Sequence, residues 1–164
     1  MIKPRIEMLP SKRLVGMRLK MSLSENKTAE LWKTFMPRRS ETKKRIGSHY
    51  ISMQVFDQDQ DDCFSLDASF DKWATVEVAD QEQMPDGMEA YTLAGGLYAV
   101  FNHRGPASAA PEVFQKIFGV WLPDSGYALD AREHFEVLPE NYRPDDPEAT
   151  EEIWIPIRNW AKVI

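Results

Sequence analysis

The chain has 164 residues and a single cysteine, Cys63, so it can form neither an internal disulfide nor a metal site built from several thiolates. Positive charge is also short. Twenty Lys and Arg face 26 Asp and Glu, for a net charge of −6, whereas a grip on phosphate backbones calls for a basic excess. No direct nucleic-acid partner is expected. No apolar run approaches the roughly 20 residues that cross a bilayer, and the opening MIKPRIEMLP lacks the apolar core of a signal peptide. A cytoplasmic chain without a membrane partner is expected. The three histidines, His49, His103 and His134, have no metal-ligand spacing. The acidic stretch 57–67 lacks the glycine and glutamate of a calcium loop, and it disfavours a thiolate at Cys63. No serine sits in a nucleophile elbow. Gly95-Gly96 is not followed by the Lys-Ser/Thr of a phosphate loop and reads as a bend. No metal and no cofactor are expected.

What is present is an ordinary globular balance, 43% hydrophobic and 28% charged, with an aromatic share of 11%. The length suits about one domain. Residues 24–36 read as a helix through Leu31, Trp32, Phe35 and Met36, with Ser22 or Ser24 as its cap and Pro37 as its stop. Residues 108–121 carry a longer stripe: Ala109, Val113, Phe114, Ile117, Phe118 and Trp121. Pro111 is tolerated in its first turn, and Pro123 ends it. Strands are predicted near 13–21, 50–56, 73–78, 91–93, 97–103, 133–138 and 152–157 from their period-2 alternation. The basic run 38–48 reads as a solvated loop, and 80–89 as an internal linker.

The two halves overlay. LWKTFMP at 31–37 matches IFGVWLP at 117–123, and a strand pair follows each helix. This predicts one α+β domain over 1–164, built from duplicated βαββ units at about 1–80 and 88–164 around a pseudo-dyad. Its antiparallel sheet carries two main helices. Each strand has an aliphatic side, expected under the helices, and a side carrying rings and acids. The second side holds Tyr50, Ser52, Gln54 and Phe56, then Trp73 and Glu77, Tyr98, His134 and Glu136, and Glu152 and Trp154. Rings beside isolated carboxylates suit an apolar or cationic organic ligand.

LAGGLYAVFNHRG, the helix ending WLPDSGY, HFEVL and EEIWIPI resemble, in that order, the GyrI-like family. VGMRLKMS and LWKTFMPRR resemble its N-terminal repeat. The family includes effector-binding domains of AraC-type and multidrug-sensing transcription activators, and gyrase inhibitory proteins. The resemblance implies a ligand cleft between two βαββ units. It also implies glutamates at Glu136, in the F-E segment, and at Glu152, two residues before Trp154, with Glu151 open as the alternative to Glu152. Glu136, Glu152, Trp154, Trp121 and Tyr98 are therefore expected to line one cleft for a small hydrophobic or cationic organic ligand. Leu138 stands where the family often has an aromatic. No helix-turn-helix precedes residue 1, so the chain is expected not to read DNA itself. The alternatives are a gyrase-inhibitor-like module with a protein partner, and a hydrolase using Glu136 or Glu152 as general acid/base. Haem carriage of the related SOUL-type fold lacks a histidine singled out for it.

Overall fold

The computed structural model describes residues 3–56, 65–79 and 84–160. Cys63, most of the 57–67 loop and the first part of the 80–89 linker lie outside them. The rest of that linker closes as a turn in which the Met88 N–H donates to the Pro85 carbonyl.

The strands are β1 (Arg5–Leu9), β2 (Lys12–Met21), β3 (Tyr50–Phe56), β4 (Phe70–Val78), β5 (Glu89–Leu93), β6 (Gly96–Arg104), β7 (Tyr127–Leu129), β8 (His134–Leu138) and β9 (Thr150–Asn159). All pairings are antiparallel. The order β1-β6-β9-β8-β3-β4-β2-β5 is unchanged when the two halves are exchanged, with β7 added against β9. The pseudo-dyad therefore passes between β3 and β8, where Ser52 faces Glu136. β1 and β2 lie near opposite ends of this order, yet only two residues separate them. The same holds for β5 and β6. The sheet must therefore curl until its edges meet, as an incomplete barrel. Gly95 (φ +88°) makes one of the closing corners, and a Cβ there would run into the Leu9 carbonyl.

Two helices cover the outside. α1 (Thr28–Phe35) buries Leu31 and Phe35. It starts later than the serines suggest, because the Asn26 Oδ1 takes the Thr28 N–H, whereas Ser24 is tied to the 65–67 turn. Pro37 does not end the helical path. It sits in the first turn of a 3-10 stretch, Met36–Glu41, where its missing N–H costs nothing. α2 (Ala110–Lys116) likewise runs on through a π-helical turn, Ile117–Trp121, into a last turn, Leu122–Asp124. Within the 38–48 run, Arg38 pairs with Glu41 and Arg45 lies over the Tyr50 ring at 4.6 Å.

Three apolar clusters result. One fills the barrel: Leu9, Leu14, Ile51, Met53, Trp73, Leu93, Tyr98, Val100, Phe135 and Trp154. A second lies between α1 and the sheet, around Val15, Ala74, Val76 and Phe35. The third lies under α2, around Ala99, Phe101, Ile153, Ile155 and Ile157. In β4, β6 and β9 the aliphatic side faces the helices as expected. In the central pair the expectation is inverted: Ile51, Met53 and Val55 point into the barrel, and Tyr50, Ser52, Gln54, His134 and Glu136 lie on the helix side. Both sides of β3 and β8 are covered, so alternation marks two faces there without telling which is which.

Candidate functional site

On the helix side, the middle of the sheet is polar where a core would be apolar. β3 brings Ser52 and Gln54, β8 brings His134 and Glu136, β4 brings Lys72 and β9 brings Glu151. Ser52, Lys72, His134 and Glu136 are buried. The Gln54 amide donates to Glu136 Oε1 at 3.3 Å, and the Lys72 ammonium stands 4.0 Å from Glu136 Oε2. Glu136 Oε2 and Gln54 Oε1 are buried without a hydrogen-bond partner among the described residues. A buried acceptor left open costs about 1–3 kcal/mol, more when charged, and such groups in a native fold call for an explanation.

Glu151 completes the cluster. Burial and the neighbouring Glu136 charge push its carboxyl up to about 7, although Lys72 and a hydrogen bond with Tyr142 pull the other way. Burial lifts the Tyr142 hydroxyl to about 12 and so keeps it protonated. Burial, with the Arg132 charge, lowers His134 to about 4, so that imidazole is neutral at physiological pH. Rings stand around His134 and Tyr50. Phe56 and Phe118 meet the His134 ring at 5.1 and 6.3 Å, and Trp32 meets Tyr50 at 5.9 Å. β8 pairs with β9 only over residues 135–137 and 152–154, whereas β6 follows β9 down to Thr150. Where β8 and β9 part, a cavity of about 610 Å³, whose lining includes His49, Asn102, His103, Val137, Glu151 and Glu152, touches the cluster at Glu151.

The barrel side carries carboxylates and rings too, but they are satisfied. Trp154 stacks on Phe135 (5.2 Å, 16°) and donates its Nε1–H to Glu152 Oε1 at 3.2 Å. Arg5 donates to Glu152 Oε2 at 2.7 Å and lies over the Trp154 ring. Tyr98 is fully buried between Phe135 and Trp154, and its hydroxyl donates to the Glu133 carbonyl. Glu77 accepts from Lys12 at 3.1 Å and lies 3.3 Å from the His49 ring nitrogen. A smaller cavity of about 280 Å³ opens beside Trp154, Phe135 and Glu152.

The five residues expected in one cleft are therefore divided. Glu152, Trp154 and Tyr98 come together on the barrel side. Glu136 lies on the helix side, on the opposite face of the sheet. Trp121 packs edge-on against Phe101 under α2 at 5.1 Å. Of the doubled glutamates, Glu151 shares a face with Glu136. Sequence reasoning missed Lys72 and Tyr142 and left Glu151 open. A signal existed for two of them: Lys72 is in phase with Ala74, Val76 and Val78, and Glu151 with Ile153, Ile155 and Ile157. A charge in phase with an aliphatic run marks a charge that folds inward.

A family model for the GyrI-like small-molecule-binding domain matches residues 2–158. The transcriptional regulator BrlR of Pseudomonas aeruginosa is 31% identical over 156 residues, covering 93% of this chain and 54% of its own length. The chain thus spans about half of that relative. Among solved structures, the EcmrR C-terminal domain superposes with a TM-score of 0.71 at 15% identity, covering 97% of this chain and 99% of that one. SAV2435 bound to tetraphenylphosphonium superposes with a TM-score of 0.68 at 14% identity, covering 95% and 94%. At these identities the structures show a shared fold.

Proposed function

The chain belongs to the GyrI-like family of small-molecule-binding domains, and we propose that it captures lipophilic organic cations in the groove where β8 and β9 part, which Glu151 lines, with Glu136 and Glu151 together balancing the charges of the cation and of Lys72. It is related to effector-binding domains of transcription regulators, and the proposal makes it a ligand-binding module of that kind. The observation that carries the proposal is the buried Glu136 Oε2, which has no hydrogen-bond partner among the described residues and shares a sheet face with His134, the ring that Phe56 and Phe118 meet. A cation placed there meets an open acceptor and ring faces worth roughly 0.5–2 kcal/mol each. Its apolar surface gains about 25 cal/mol per Å² on burial. The tetraphenylphosphonium held by SAV2435, a protein of the same fold, supports this class of ligand.

The test is a calorimetric titration with tetraphenylphosphonium and with neutral triphenylphosphine oxide, on the wild type and on Glu136→Gln. A loss of cation affinity of about tenfold or more, with the neutral compound changed less than about threefold, supports the reading. Equal losses mean that Glu136 only holds the fold. No binding of the cation to the wild type ends the proposal.

Hydrolysis of a reactive small molecule is a second reading, favoured by one observation. Glu151, near 7 and bonded to Tyr142, is poised for general acid/base work at neutral pH. Turnover of an activated ester or epoxide that disappears in Glu151→Gln supports it, and turnover that survives the substitution contradicts it.

A further inference from the structure

The helix-side cluster has a charge problem that bears on how a cation enters. Lys72 already serves Glu136. With Glu151 protonated the pair is neutral, and an arriving cation would be buried without compensation, which costs several kcal/mol. One remedy is to expel Lys72. Its side chain is only 8% exposed and its ammonium sits beside Glu136 in the interior, so expulsion means moving a long stem through the packed helix side of β4. The other remedy is to ionise Glu151. That carboxyl is faced by Glu136 from β8, by Lys72 from β4 and by the Tyr142 hydroxyl from the segment after β8. From β6 it is faced by His103, its register partner, whose Nε2 is buried without a hydrogen-bond partner among the described residues. Glu151 also lines the 610 Å³ cavity, so a proton leaving it has a route to solvent.

We propose that the groove takes an organic cation by exchange: Glu151 releases its carboxyl proton to solvent as the cation arrives, and the Lys72 ammonium remains on Glu136. This rests on the reading of the groove as a cation site. No covalent bond forms or breaks other than the carboxyl O–H, and the proton goes to buffer. At pH 7 Glu151 is about half ionised, so roughly half a proton is released per cation bound at that pH. The sign follows from linkage. The cation favours the ionised carboxylate, so affinity rises with pH below the carboxyl's titration point and levels off above it. Between pH 6 and pH 8 the rise is about tenfold for one group titrating near 7.

Tetraphenylphosphonium is the suitable probe because its charge does not titrate. The experiment is calorimetry at pH 6, 7 and 8 in buffers of different ionisation enthalpy, on the wild type, Glu151→Gln and His103→Asn. The expected result is a tenfold rise in wild-type affinity with measurable proton release, both lost in Glu151→Gln and both kept in His103→Asn. Binding with no pH dependence and no proton release overturns the exchange while leaving the groove as a cation site. Loss of the dependence in His103→Asn, or its survival in Glu151→Gln, overturns the assignment to Glu151. Absence of binding removes the groove reading and the exchange with it. Carbon-13 NMR titration of the wild-type glutamate carboxyls, with and without the cation, tests the exchange without a variant. One carboxyl should titrate near 7 in the free protein and well below 6 in the complex, and an unchanged titration contradicts the exchange.

Discussion

The two faces of the sheet hold similar ingredients in opposite states. On the barrel side Glu152 accepts from Arg5 and Trp154, Glu77 accepts from Lys12, and the rings of Tyr98, Phe135 and Trp154 pack on one another. On the helix side one oxygen each of Glu136 and Gln54 has no hydrogen-bond partner among the described residues, and Glu151 is pushed up toward neutrality. Rings and acids together therefore do not identify a binding site. Buried acceptors left without hydrogen-bond partners are the sharper mark, because a native fold leaves few of them unexplained.

The contrast can be broken most forcefully from the barrel side. Phe135→Ala removes a ring that is 1% exposed and packed against Tyr98 and Trp154. It should cost about 3–5 kcal/mol in urea unfolding, while the folded fraction keeps its cation affinity within about threefold. A large loss of affinity per folded molecule would mean that the barrel takes part in binding.

The converse holds on the helix side. Lys72→Met together with Glu136→Leu replaces a buried ion pair, 4.0 Å apart, with apolar groups of similar size. The double variant should unfold with equal or greater stability, by about 1–4 kcal/mol, and lose the cation. A marked loss of stability would show that the polar cluster is there to hold the fold.

The pH dependence sharpens the same difference. Glu151 titrates near 7 in the fold, above the usual carboxylate value, so its contribution to stability falls as pH rises through the window from about 4.5 to 7. His134 is depressed to about 4 in the fold, so its contribution rises with pH from about 4 to 6.5. The two slopes oppose each other, each about 3 kcal/mol across its window. Chemical denaturation across pH 4.5–7 should show Glu151→Gln gaining stability with pH relative to the wild type. His134→Phe should lose it. Parallel curves for all three proteins would contradict both assignments.

The smallest effect is expected at the barrel mouth. Arg5 is 40% exposed in its pair with Glu152, so Arg5→Met should lower stability by no more than about 1 kcal/mol and leave cation affinity unchanged. A tenfold affinity change would return Glu152 and Trp154 to the binding site.

The same contrast explains what was legible in the sequence. Duplication, the two helices, and β3, β4, β6, β8 and β9 follow from alternation and from the LWKTFMP and IFGVWLP match. In β4 and β9 one face carries an aliphatic run (Ala74, Val76 and Val78; Ile153, Ile155 and Ile157), so its direction reads correctly. In β3 and β8 each face meets a different core, and hydrophobicity cannot rank Ile51 and Met53 against Tyr50 and Gln54. That inversion puts Glu136 on the opposite face from Glu152, which the resemblance pairs with it, and on the same face as Glu151, the alternative it leaves open. Trp121, expected in the cleft, packs on Phe101; a helix stripe shows burial without naming what lies beneath it. The three-residue β7 was too short to alternate. Tyr142 reaches the cluster from a segment with no periodicity.

The central claim is that ligand lies on the helix side of the sheet, beside Glu136 and Glu151. A crystal structure of the protein with tetraphenylphosphonium tests it most directly. The phosphonium is expected in the groove beside Glu151, with Glu136 and Glu151 as its nearest carboxylates and Lys72 still beside Glu136. A phosphonium stacked on Trp154 at the barrel mouth, with Glu152 as its counter-charge and the helix-side cluster unchanged, would contradict it.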